Sequence, residues 1–139
     1  MSNRATEDST ATRTLLAGAA YFAIVFAAGF VLGAIRTLAL VPRFGSFTAV
    51  LLELPIMLVI SWMACGKVLS RFDIPARTAP RLGVGASAFT LLMFAEVVLS
   101  LVAFDRAPSD YLAELGTPHG LLGLAGQVLF ALMPLVHRR

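Results

Sequence analysis

Apolar residues in this chain neither alternate nor recur every third or fourth position; they run on uninterrupted. Four stretches, residues 15–41, 46–65, 82–104 and 120–136, are almost free of charge. A helix that crosses the hydrocarbon core of a bilayer needs roughly 17–25 such residues, so each stretch qualifies. The pattern predicts an all-α membrane protein, a bundle of four transmembrane helices. Polar residues gather between the runs, in residues 66–80 and 105–118, and at the start. Residues 1–14, rich in Ser and Thr, read as a disordered tail, and residues 15–139 as one four-helix domain. The first run exceeds the apolar core of about 7–15 residues in a secretion signal, so it reads as a span.

Charge inside the runs is scarce enough that each instance carries weight. The first two runs are joined by Pro42-Arg43-Phe44-Gly45, which reads as the turn of a tight hairpin. Arg36 lies about 9 Å before that turn at helical rise, and Glu53 about 12 Å after it. Counting the same way, Glu96 lies about 13 Å below Asp105 and Gln127 about 12 Å below His119. Arg36, Glu53, Glu96 and Gln127, one from each run, are therefore expected to share a layer in the outer half of the membrane. Each ionised group costs roughly 2.5–3.5 kcal/mol at mid-membrane. Pairing Arg36 with one carboxylate cancels much of that cost and leaves the second carboxylate without a cation.

Gly29 and Gly33 form a G-x-x-x-G pair on the Arg36 stripe, and Gly120 and Gly123 share a face with Gln127. Both pairs read as close-packing surfaces. Pro55 removes a backbone N–H beside Glu53 and predicts a kink, with the Leu51 carbonyl free to accept a bond from Arg36. Ser109 reads as the N-cap of a short amphipathic helix through Tyr111, Leu112 and Leu115, ended by Gly116 and placed to cover the bundle mouth.

Composition narrows the function classes. With 58% hydrophobic and 14% charged residues, an ordinary soluble domain is excluded. The net charge of +3 lies on loops and speaks of membrane orientation, so no nucleic-acid partner is expected. Eight of the eleven Lys and Arg residues fall in the first tail (Arg4, Arg13), the middle loop (Lys67, Arg71, Arg77 and Arg81, at its edge) and the C-terminus (Arg138, Arg139), which predicts both termini in the cytoplasm. Cys65 is the single cysteine, and His119 and His137 sit at opposite ends of the last run, so neither a metal site nor a disulfide is expected. Nothing resembles a nucleophile elbow, a phosphate loop or a haem ligand pair, so no catalytic residue and no cofactor is assigned.

Gly33-x-x-Arg36, Pro42-Arg43-x-Gly45, Glu53-Leu54-Pro55 and the later Glu96 together resemble a group of small four-helix bacterial membrane proteins. The resemblance covers most of the chain after residue 20. It implies the topology and a bacterial inner-membrane location, and it carries no activity. Three readings follow. The leading one is a structural or accessory subunit of a membrane assembly, as a homo-oligomer or within a larger complex, with the bilayer as constant partner. The second is an oligomeric transporter of protons, cations or small solutes. The third is an intramembrane enzyme that binds a lipid or a quinone.

Overall fold

The computed structural model describes Ser2 to His137. Among those residues the chain is all helical: α1 (Ser2–Ile35), a π-helical turn (Arg36–Leu40), α2 (Val41–Phe44), α3 (Ser46–Arg71), α4 (Thr78–Phe104), α5 (Pro108–Leu115) and α6 (Pro118–Val136). Four helical stretches are long and apolar enough to cross a membrane: Asn3–Phe44, Ser46–Arg71, Thr78–Phe104 and Pro118–Val136. They correspond to the four apolar runs. Arg138 and Arg139, counted above toward the cytoplasmic charge, lie outside the described residues, as does Met1.

Two expectations along the first hairpin are corrected. Residues 2–14 are not a disordered tail but the first turns of α1. No Gly or Pro interrupts them before Gly18, and the hydroxyls of Thr10 and Thr12 donate back to the carbonyls of Thr6 and Asp8. Such back-bonding lets a Ser/Thr-rich segment remain helical. The turn, too, is narrower than Pro42 to Gly45. Pro42, Arg43 and Phe44 are helical, and the chain reverses at Gly45 alone, whose φ of 82° and ψ of 167° suit only glycine. Pro42 also explains the π turn. Its ring would crowd the carbonyl four residues back; widening the ladder so that Val41 N–H bonds Arg36 C=O relieves the clash.

The long helices form a ring. α1 packs on α3 and α4, and α6 packs on the same two, so α3 and α4 face each other across a diagonal, as do α1 and α6. The Arg13 region of α1, the last turn of α6 and the α3–α4 loop meet at one end of the bundle, where Arg13 donates to the Asp73 carbonyl and Arg81 to the Pro134 carbonyl. The core sits in that half, built on Ala17, Tyr21, Cys65, Leu69, Val84 and Phe130.

Tyr21 links one diagonal for a definite reason. Pro134 has no N–H, so the Phe130 carbonyl four residues earlier lacks its helical donor. The Tyr21 hydroxyl supplies one at 2.8 Å, and the two rings stack with centroids 4.3 Å apart. Arg81 plays the matching part at the end of α6. Counted above among loop charges, it is 5% exposed and donates to the Pro75 carbonyl in the α3–α4 loop and to the carbonyls of Pro134 and His137, which the end of α6 leaves unpaired. Burial, and then the Arg81 charge, hold the His137 imidazole below its ordinary range, and the ring packs on Trp62.

Glycine contacts fall elsewhere than the G-x-x-x-G pattern suggests. A methyl group on Gly85 would overlap the Ala131 carbonyl, and one on Gly18 the Ser87 side chain; these are the places where α4 meets α6 and α1. Gly29 faces the tip of Met57, and Gly33 faces only its own Arg36. Gly120 lies against the Glu114 backbone at the α5–α6 corner, whereas beside Gly123 there is open space. Among the described residues, then, nothing packs on Gly123.

Candidate functional site

The four polar residues singled out in the spans form two separate pairs rather than one cluster. Arg36 Nη1 lies 2.9 Å from Glu53 Oε2, an ion pair in which the arginine side chain is 33% exposed and the glutamate 11%. Glu53 reaches it from the inward stripe of α3, which also carries the buried Ala49 and Ser61. α3 runs through Pro55 as one helix. Arg36 takes the Glu53 carboxylate rather than the Leu51 carbonyl, because a charged acceptor binds a guanidinium more strongly than a neutral one does.

Across the bundle, Gln127 Nε2 donates to Glu96 Oε1 at 2.6 Å. The second oxygen, Oε2, accepts the hydroxyl of Tyr111 at 2.7 Å. Among the described residues no hydrogen bond or ion pair joins Glu96 to Arg36. The four residues therefore do not gather around one guanidinium: Glu96 stands on α4, diagonal to α3, and its partners are neutral. The two pairs still lie at similar heights, since a side chain on Gly126, beside Gln127, would strike Leu54, beside Glu53.

Tyr111 belongs to α5, the short helix expected over the bundle mouth. That helix begins at Pro108, one residue before Ser109, and the Asp110 carboxylate, not Ser109, accepts the Ala107 N–H at 3.2 Å. Its far end is clamped by Arg106 on Glu114 at 2.5 Å, by His119 3.5 Å from the other Glu114 oxygen, and by Thr117 donating to the Glu114 carbonyl. Burial alone would raise the Glu114 carboxyl. Arg106 and then His119 outweigh it and hold that carboxyl below its ordinary range. A carboxyl lowered in this way contributes stability at neutral pH and loses it as pH falls through the lowered value. Burial, followed by the bond and charge of Glu96, raises the Tyr111 phenol, which keeps its proton for Glu96.

Two buried oxygens near this centre have no partner: Gln127 Oε1 and Ser100 Oγ. Counting depths singled out Gln127 but not Ser100. Ser100 lies on the Glu96 side of α4, and only burial shows that its hydroxyl is orphaned. Tyr111 was visible as part of an amphipathic helix, but its reach to Glu96 was not. Among the described residues no group of three or more His, Cys, Asp or Glu side chains could hold a metal ion, and Cys65 is buried in the core. No protein-family model, curated protein or solved structure matches the chain.

Proposed function

We propose that the protein is an accessory subunit of a larger membrane assembly, and that it docks by the outer half of the α1–α3 hairpin. One observation carries this reading: an ion pair at depth in a span, with its arginine a third exposed on the surface of the bundle. Lipid tails cover a charge badly, at a cost of roughly 2.5–3.5 kcal/mol near the bilayer centre. The π turn and α2 beside Arg36 bury no residue and touch only the hairpin itself. A second polypeptide seated there would cover Arg36 and the glycine stripe below it. π turns are also frequent at functional sites in other helices. Extraction in a mild detergent is expected to yield a particle with a mass well above one 14.8 kDa chain. A solitary chain in its micelle would count against the proposal.

The membrane is proposed to be the bacterial inner membrane, with both chain ends on the cytoplasmic side. That assignment rests on Lys67, Arg71, Arg77 and Arg81 lying at the same end as Arg4 and Arg13, which the positive-inside rule places in the cytoplasm. Alkaline phosphatase fused after residue 139 should be inactive and a fluorescent protein there bright; the reverse would invert the topology. Transport stands as a second reading, favoured by Glu96, a carboxylate inside a span with no cation beside it among the described residues.

A further inference from the structure

The Glu96 centre holds acceptors in excess of donors. An ionised carboxylate offers about four lone-pair positions, and Gln127 and Tyr111 take up one on each oxygen. Gln127 spends one of its two N–H donors on Glu96, and its carbonyl oxygen is buried and without a partner. Turning the amide over would not help, because it would set that oxygen against the carboxylate.

Ser100 adds a third oxygen. It lies one turn beyond Glu96 on the same side of α4, is 8% exposed, and its hydroxyl has no partner. Two other hydroxyls on that helix behave differently: Ser87 and Thr90 donate to the carbonyls of Gly83 and Ala86 four residues back. Ser100 forgoes that bond and leaves its oxygen free. α5 closes the centre from the outer side, held there by Arg106, Glu114 and Thr117.

We propose that Glu96, Gln127 and Ser100 form a binding site for one small monovalent cation of the sodium type. Hard oxygen donors suit such an ion. One carboxylate balances a single positive charge; divalent sites in proteins draw on more carboxylates or on phosphates, and the described residues supply no cluster of acids. The bound ion takes one free position on Glu96 together with the orphaned oxygens of Gln127 and Ser100, and Tyr111 remains a neutral donor. This site rests on the Glu96 centre alone and not on the docking face, so either can fail without the other.

The test is calorimetric titration of the purified full-length protein in sodium-free, mildly alkaline detergent solution. The titrant is sodium chloride, with choline chloride as the ionic-strength control. One saturable sodium site per chain is expected, its heat abolished in Glu96→Gln and its affinity weakened about tenfold in Ser100→Ala. Equal heats for sodium and choline would overturn the proposal, as would a sodium affinity unchanged in both variants. Should Glu96→Gln not fold, Ser100→Ala decides, since it removes a single oxygen: weakened binding supports the site and unaltered binding overturns it.

Discussion

Placing a methyl group on Gly85 is expected to destabilise the bundle by about 3 kcal/mol, whereas the same change at Gly123 should leave stability within about 0.5 kcal/mol. Both are glycines within spans, and a helix propensity scale treats them alike. Their surroundings differ. The Cβ of Gly85→Ala would overlap the Ala131 carbonyl, and backbone, unlike the end of a flexible side chain, cannot turn aside. α4 and α6 would have to move apart, pulling Arg81 from the Pro134 carbonyl and Glu96 from Gln127. Beside Gly123 nothing lies within reach of a methyl group. Unfolding in mixed micelles, followed by circular dichroism, measures both. Equal effects at the two positions would mean that α4 and α6 do not approach most closely at Gly85.

Removing Arg36 while keeping Glu53 is expected to cost about 3 kcal/mol, and removing both much less. Arg36→Met leaves a carboxylate inside a span without its cation, and one unpaired charge is the expensive state. Arg36→Met combined with Glu53→Met replaces the pair by apolar side chains of similar length and should return to within about 1 kcal/mol of the parent. The double-mutant cycle in micelles gives the coupling energy directly. A single-substitution cost below about 1 kcal/mol would place the pair in water, where exposed ion pairs contribute little.

Counting residues from a turn sets depth along a helix but not the direction in which a side chain points. That is why Arg36 and Glu53 could be matched from the sequence. Their helices are consecutive, joined by Gly45, and each carries one polar group on a stripe of small residues. Glu96 and Gln127 also agree in depth, and they meet because α4 and α6 are neighbours. The four do not form one cluster, because α3 and α4 occupy opposite corners of the ring, and corner assignment is decided by contacts such as Gly85 on Ala131 that no periodicity announces. Gly123 shows the same limit of periodicity: it shares a stripe with Gly120 and Gln127, but among the described residues nothing faces it at its own height.

Polar composition misled in two other places. Residues 2–14 were read as a tail from their Ser, Thr and charged side chains, although hydroxyl back-bonds allow such a segment to continue a helix. Arg81 was read as a solvated loop charge, although a helix end that closes on Pro134 needs a donor with more than one N–H. Tyr21 could have been found in advance. A proline inside α6 deprives the Phe130 carbonyl of its donor, and a tyrosine hydroxyl in another span is an obvious source. Tyr111 could not, since its partner depends on the path of α5 across the bundle mouth.

The docking face can be interrogated in intact membranes. A benzophenone amino acid in place of Leu38, which is 80% exposed in the π turn beside Arg36, is compared with the same group in place of Val102, 81% exposed on α4. On irradiation, position 38 is expected to give a discrete adduct with a polypeptide, while position 102 gives lipid adducts. Lipid adducts alone at both positions would contradict the claim that the Arg36 face meets another protein.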